Sequence, residues 1–304
     1  MRLSTPLGTV LVMGEVLFDV FPDGPRLGGA SFNFACHLHR LGIPVRFISR
    51  VGNDKAGRDI LDFARNWGFP TEGIQTDQEH ATGEVKVVMT PDGGHDFEIM
   101  PDRAFDYIEM NPHLDALLAE EISCVYFGTL IQRHAVSRGT LQTLTKRLRA
   151  RSRFIVDLNL RAPFFSRELI EETLHAADLL KVSAEELDQL RDLFKEKDTR
   201  SRFPETLLRK FRLGNLCVTR GSNGCVWYEV GQEKPTLAAS VPCAEFADAV
   251  GAGDGFAAMM TAGLLAGLPR QTVLELACHF ASRICAVQGA LPAAPAFYQP
   301  FRFE

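Results

Sequence analysis

The stretch Asp248-Ala-Val-Gly-Ala-Gly-Asp254 sets three small residues, Gly251, Ala252 and Gly253, between two carboxylates. An apolar run rich in small residues, Gly255 to Leu268, follows at once. This pattern describes a tight turn opening into a buried helix. The first amides of a helix have no intrahelical acceptor and lie at the positive end of its dipole. Such a turn binds phosphate or a developing oxyanion. Asp254 then adds a base beside an anion hole, which is what moving a phosphoryl group onto a hydroxyl requires. The plainer account of the same residues is a glycine-rich loop with an aspartate at the N-cap.

Other polar residues fall where apolar ones are expected. Asp19 is the one charge in Val16 to Phe21, among Phe18, Val20 and Phe21. An aspartate is costly to bury unpaired. It is therefore at the surface or bound to something, and a sugar hydroxyl would suit it. In Leu27-Gly28-Gly29-Ala30-Ser31-Phe32-Asn33 the glycine pair lets the backbone bend and lets a ligand approach. Phe34, Ala35, Leu38 and Leu41 recur at helical spacing, so Asn33 lies in the first turns of a helix. It either caps that helix or faces Asp19 and holds a polyol. Further polar clusters are Asp157-Leu-Asn159-Leu-Arg161, Ser183-Ala-Glu-Glu186 and Thr219-Arg-Gly221-Ser-Asn-Gly224. Taken singly, Arg161 reads as a surface ion pair of little worth, and Glu186 as part of a solvated helix face.

The elements that must position these residues alternate between strand and helix. Thr9–Met13 is a short buried strand, and Val16–Phe21 is its continuation or a neighbour. Val45–Ile48 is a strand. Asp54–Trp67 is a helix with Ala56, Ile60, Ala64 and Trp67 on one face. Glu84–Thr90 and His95–Met100 alternate about a turn at Pro91-Asp-Gly-Gly94, a β-hairpin that interrupts the α/β pattern and could cover a site. Beyond residue 110, strands are expected at Cys124–Phe127, Phe154–Leu158, Leu179–Val182, Leu216–Thr219 and Cys225–Glu229, with helices between most of them. Pro269 opens a last helix with Val273, Ala277, Phe280, Ile284 and Val287 on one face, ended by Gly289-Ala290-Leu291-Pro292. The expected fold class is α/β, a doubly wound, mostly parallel sheet with helices on both faces. Ligands bind such sheets outside the carboxyl ends of the strands, where the polar clusters fall. No repeat or linker divides the chain, so residues 1–304 read as one domain with a small β-hairpin lid around 84–100.

Bulk properties remove several classes. The 304 residues are 46% hydrophobic and 23% charged, an ordinary globular composition. A formal charge of −5 argues against general nucleic-acid binding. No run of 18 apolar residues exists, so no membrane span is expected, and the N-terminus carries no signal-peptide pattern. The seven cysteines are odd in number and lack CxxC spacing, which suggests reduced core residues in a cytoplasmic protein. The eight histidines form no zinc-type set.

Over nearly the whole chain, and in order, these landmarks resemble the ribokinase-like (PfkB) family of carbohydrate kinases. Gly14-Glu15 with Asp19 resembles its first strand, and Gly28-Gly29 through Asn33 its first signature. Asp157-Leu-Asn159-Leu-Arg161 is similar to its D-x-N-x-R element and Ser183-Ala-Glu-Glu186 to its N-x-x-E element. Asp248 to Asp254 is similar to its second signature, D-T-x-G-A-G-D. A Walker A motif is absent. The resemblance implies that Asp254 is the general base and that Gly251, Ala252 and Gly253 offer backbone amides to the transferring group. It implies that Asp19, Gly28, Gly29 and Asn33 hold a sugar with Asn159 and Arg161 nearby, and that Arg161 could instead reach a phosphate or a substrate carboxylate. Ser183, Thr219, Gly221 and Gly224 would belong to the ATP site. Glu186 would help position Mg²⁺ through water. The carbonyls near Asp248 and Val250, with the 286–289 region, resemble the family's monovalent-cation (K⁺) site, whose occupancy the sequence leaves open.

Three departures stand out: Ser183 replaces Asn, Ala249 replaces Thr, and only Pro22 to Leu27 separates the first strand from the glycine pair. The last suggests a lid reduced to the 84–100 hairpin. The patterns Gly14-Glu-Val-Leu-Phe-Asp19, Gly28 to Asn33 and Ala104-Phe-Asp-Tyr-Ile108 resemble the fructokinase-like branch. That implies ATP-dependent phosphorylation of a primary hydroxyl on a fructose-like monosaccharide. A 2-keto-3-deoxygluconate kinase, or a regulator that binds sugar and nucleotide without turnover, is the competing expectation. The partners implied are a small-molecule sugar and ATP; a homodimer is left open.

Overall fold

The structure is a computed structural model that describes residues 8–89, 95–243 and 245–303. The expected turn at Pro91–Gly94 lies outside the described residues. The strands are β1 (Thr9–Met13), β2 (Leu17–Phe21), β3 (Gly24–Gly28), β4 (Val45–Gly52), β5 (Ile74–Asp77), β6 (Gly83–Met89), β7 (His95–Ile99), β8 (Ile122–Phe127), β9 (Arg153–Asp157), β10 (Leu179–Ser183), β11 (Asn215–Thr219), β12 (Cys225–Glu229) and β13 (Thr236–Ala238). The helices are α1 (Ala30–Arg40), α2 (Lys55–Asn66), α3 (Pro112–Ala119), α4 (Ala135–Leu148), α5 (Arg167–Ala176), α6 (Ala184–Leu193), α7 (Phe203–Phe211), α8 (Ala252–Leu265) and α9 (Arg270–Ile284). Among the described residues no helix is long and apolar enough to cross a membrane.

The main sheet runs in the order β13-β12-β11-β10-β9-β8-β1-β4-β5. It is parallel from β5 to β11, and β12 and β13 close one edge antiparallel. Strand alternation feeds two cores. Val10 and Val12 of β1 face α1, α8 and α9, while Leu11 and Met13 face the side carrying α3 to α7. The helical expectations hold with small shifts. Asp54 is the N-cap of α2 and not its first residue; its side chain accepts from the Gly57 amide. α9 ends at Ile284, before the expected Gly289, so Val287 lies past the helix. All seven cysteines are unpaired, and five of them are buried.

β1 pairs with β4 on one side and β8 on the other, so the direction of strand addition reverses there. Crevices form at such a reversal, beyond the carboxyl ends of the strands. For β1 that end is Met13-Gly14-Glu15.

A second sheet, in the order β3-β2-β6-β7, differs from the expected lid. Val16–Phe21 does not extend β1: its β2 portion pairs antiparallel with β3 and parallel with β6. The cover is therefore four strands and not the 84–100 hairpin alone. A two-residue turn is enough to reverse a hairpin. Pro22 and Asp23 make that turn, and the short stretch from there to the glycine pair forms β3. At the end of β7 the sheet is fastened to the body. Arg133 Nη2 donates to the Met100 carbonyl (2.8 Å), and its guanidinium binds Asp106 bidentately at 2.7 Å through Nε and Nη2. Both side chains are almost fully buried. Removing one partner of such a pair strands the other charge. Arg133→Ala is expected to lose about 3–5 kcal/mol of unfolding free energy, measured by urea denaturation at pH 7.

Candidate active site

Asp254 is the third residue of α8, so the helix begins within the turn. Gly251 caps it with φ 77°, a left-handed conformation that only glycine adopts at little cost. There is no room either: a Cβ at Gly251 would come within 2.4 Å of the Ala290 Cβ. Asp248 braces the turn, its Oδ1 accepting from the Val250 amide (3.0 Å) and its Oδ2 from the Gly289 amide (3.3 Å). The Ala252 amide turns back to the Ala249 carbonyl at 3.3 Å.

Two cavities meet at this turn, and Ala249 and Gly253 line both. The first, about 520 Å³, lies under the second sheet. Its polar lining is Glu15, Asp19, Asn33, Asn159 and Arg161 with Asp157, Lys181 and Asp254; Val85 and Ile99 come from the covering sheet. The second, about 400 Å³, holds Thr219, Gly221 and Gly224 against Phe256 and Ala281. The structure thus brings Asp19, Gly29, Asn33, Asn159, Arg161, Val250, Gly251, Gly253 and Asp254 to one cavity, and Thr219, Gly221, Gly224 and Ala252 to the other. Gly28 lies beneath Asp19, where a Cβ would come 2.4 Å from Asp19 Oδ2.

Ser183 and Glu186 line neither of the two cavities. They cap α6 reciprocally: Ser183 Oγ accepts from the Glu186 amide (3.1 Å) and Glu186 Oε2 from the Ser183 amide (2.8 Å). Glu186 Oε1 accepts from the Leu160 amide (2.7 Å), which ties α6 to the loop after β9. Both carboxylate oxygens thus already serve amides. That commits Glu186 to the helix cap and to the loop after β9. Among the described residues no set of three or more His, Cys, Asp or Glu side chains could hold a metal ion.

Asp254 is held by Asn33, whose Nδ2 donates to its Oδ2 at 2.9 Å across 221 residues of chain. Asn33 is therefore not the cap of α1; Gly29 is. Burial pushes the Asp254 carboxyl up to about 6, against the Asn33 hydrogen bond and the charges of Lys181 and Arg161. Burial likewise raises Asp19 to about 6, with Arg161 opposing.

Lys181 is the residue that the motifs missed. It is buried in β10, and its Nζ donates to Asp157 Oδ2 at 2.8 Å. Burial works against its charge, but Asp157 and Glu186 outweigh burial and hold its pKa above the usual lysine value. A Cβ built on Gly253 would lie 3.5 Å from that nitrogen, so the ammonium sits beside the turn that joins the cavities. The signal was present in Leu179-Leu-Lys-Val182: a lone charge inside an apolar strand, the same sign that marked Asp19.

The nine-stranded, mostly parallel sheet with helices on both faces is the ribokinase-like fold, as close structural relatives bear out. A fructokinase from Vibrio cholerae O395, solved with fructose, ADP and calcium, superposes with a TM-score of 0.78 at 20% identity, covering 96% of this chain and 98% of its own. A fructokinase from Xylella fastidiosa with bound ATP gives 0.79 at 23% identity, covering 97% and 95%. Residues 24–296 match the profile described as pfkB family carbohydrate kinase, and the chain belongs to that family. Fructokinase from Escherichia coli is 27% identical over 94% of this chain and 96% of its own, and probable fructokinase-7 from Arabidopsis thaliana is 27% identical over 94% and 89%. The protein is a carbohydrate kinase.

The raised Asp254 carboxyl has a thermodynamic consequence. A carboxyl with a higher pKa folded than unfolded binds more protons in the native state, so its contribution to stability falls as pH rises from about 4 to about 6. At pH 7 its ionised form is a net burden on the fold. Asp254→Asn is therefore expected to resist urea better than the wild type at pH 7. The gap should close toward pH 4, read from denaturation midpoints across that range.

Proposed function

We propose that this carbohydrate kinase uses ATP to phosphorylate a primary hydroxyl of a neutral, fructose-like monosaccharide. One observation carries the reading: two cavities share a helix N-terminal turn, and the only carboxylate on that helix's first turn, Asp254, lies in the more polar of them. A sugar in the first cavity would be held by Asp19, Asn33, Asn159 and Arg161. Asp254 would take the proton of the attacking hydroxyl, and a carboxylate titrating near 6 is ionised at pH 7 yet still basic. The nucleotide base would lie against Phe256 and Ala281, with its phosphates directed toward Gly253. The amides of Gly251 and Gly253, together with the Lys181 ammonium, would meet the charge of the transferring group. Mg²⁺ would arrive with the triphosphate and neutralise part of its charge. Glu186 would face its water shell.

The charge of the cavity favours a neutral sugar over an aldonic acid. Glu15, Asp19, Asp157 and Asp254 are set against Lys181 and Arg161. Lys181 is paired with Asp157 and lies beside the Gly253 turn, on the side of the transferring group. A substrate carboxylate would have Arg161 as its free cationic partner and acidic neighbours on its other sides. This supports fructose over 2-keto-3-deoxygluconate.

The reading is tested by ADP release across a panel of neutral sugars and sugar acids, with and without Mg²⁺ and K⁺. Turnover with fructose or a related ketose, and none with the acid, is expected. Nucleotide binding without turnover on any sugar would favour the non-catalytic regulator instead. Asp254→Asn should lose about 10²–10⁴-fold in kcat while still binding sugar. In the wild type, kcat should fall as pH drops through about 6, where Asp254 takes up its proton.

A further inference from the structure

α1 presents Asn33 to Asp254, yet nothing in its own sequence caps it. Its N-cap is Gly29, which makes no side-chain cap, and its first turn carries no acidic residue. The missing carboxylate comes from another element. Glu15 leaves the carboxyl end of β1, at the reversal point of the sheet, and is 4% exposed. Its Oε1 accepts from the Ser31 amide at 3.2 Å and its Oε2 from the Ser31 hydroxyl at 3.0 Å. Ser31 is the second residue of α1 and one of the amides that the helix leaves unsatisfied. Asn33 follows two residues later, its own amide bound to the Gly29 carbonyl at 2.8 Å.

Resting on the kinase reading above, we propose that Glu15 is a positioning residue for phosphoryl transfer. Through Ser31 it fixes the first turn of α1, and with it the Asn33–Asp254 contact that aims the base. Two helices start at this site, α1 with Asn33 and α8 with Asp254. A shift of the first turn of α1 along its axis would open a hydrogen bond that is 2.9 Å long. Misplacement on that scale is enough to lower the rate of an oriented reaction.

Glu15 also acts through charge. It lines the same cavity as Asp254, and in its ionised form it opposes ionisation of the base; burial raises the Glu15 pKa, while the Ser31 contacts and Arg161 favour its charged form. The other groups bearing on Asp254 are Asn33 of α1, Lys181 of β10 and Arg161 after β9, which favour the carboxylate. Asp157 of β9 and Tyr126 of β8 stand nearby, and each is coupled to the Asp254 charge. Replacing Glu15 by an isosteric amide removes one repulsive charge and leaves this set intact.

The test compares wild type, Glu15→Gln, Glu15→Ala and Ser31→Ala by steady-state kinetics from pH 5 to 9, with circular dichroism to confirm folding. Glu15→Ala should lose about tenfold or more in kcat, with the KM for ATP within about twofold. Glu15→Gln keeps both contacts to Ser31, so it should recover most of that loss. Its acidic limb should move down by about half a pH unit or more. Ser31→Ala keeps the charge and loses one contact, so it should lower kcat without moving the limb. Wild-type kcat in Glu15→Ala would overturn the proposal. So would equal losses in Glu15→Ala and Glu15→Gln with an unmoved limb. Should Glu15→Ala fail to fold, the limb of Glu15→Gln and the kcat of Ser31→Ala decide, and no change in either overturns it. Failure of the wild type to turn over any sugar would count against the kinase reading; an active wild type with unchanged variants counts against Glu15 alone.

Discussion

The site depends on holding several carboxylates together at the wall of one cavity. Glu15, Asp19, Asp157 and Asp254 all line one cavity, and burial raises the pKa of each. An unpaired buried charge costs far more than a hydrogen bond returns. The fold answers three of these carboxylates separately: Ser31 for Glu15, Asn33 for Asp254, Lys181 and Tyr126 for Asp157. Arg161 opposes the raised pKa of Glu15, Asp19 and Asp254 alike. These partners come from α1, β8, β10 and the loop after β9, so the cavity exists only when the sheet and its crossovers are assembled. Local sequence alone could not have specified it.

The same constraint explains what was legible in the sequence and what was not. Asp248–Asp254 was readable because a tight turn opening a helix needs small residues at fixed spacing, a local requirement. Asp19 was readable as a charge out of place. Lys181 carried that same sign but was absorbed into a strand, because its partner Asp157 lies 24 residues away on β9. Ser183 and Glu186 matched a motif, and the motif's spacing is also that of a capping box. The structure shows the box complete. The second sheet was half legible. β6 and β7 announce themselves by alternation, whereas β3 contains Pro25 and two glycines, a poor strand by propensity. Pairing with β2 fixes it, which is tertiary context overriding local preference.

The departure at Ala249 can be weighed physically. A hydroxyl at this position could brace the turn or touch a ligand. Bracing falls instead to Asp248, whose two oxygens hold the Val250 and Gly289 amides, and to Gly251 pressed against Ala290. The turn keeps its shape without help from residue 249. Ala249 itself is exposed and lines both cavities. The missing hydroxyl therefore removes a contact that faces whatever fills the cavities, not one that holds the fold. In the proposed reaction that places the effect of Ala249 on the transferring group and its nucleotide, while the Asn33–Asp254 contact that aims the base is untouched. In that proposed reaction the residues that orient the base and the turn that meets the phosphoryl group are supported separately, Asp254 by Asn33 and the turn by Asp248 and Gly251, so the change at Ala249 leaves the base aimed.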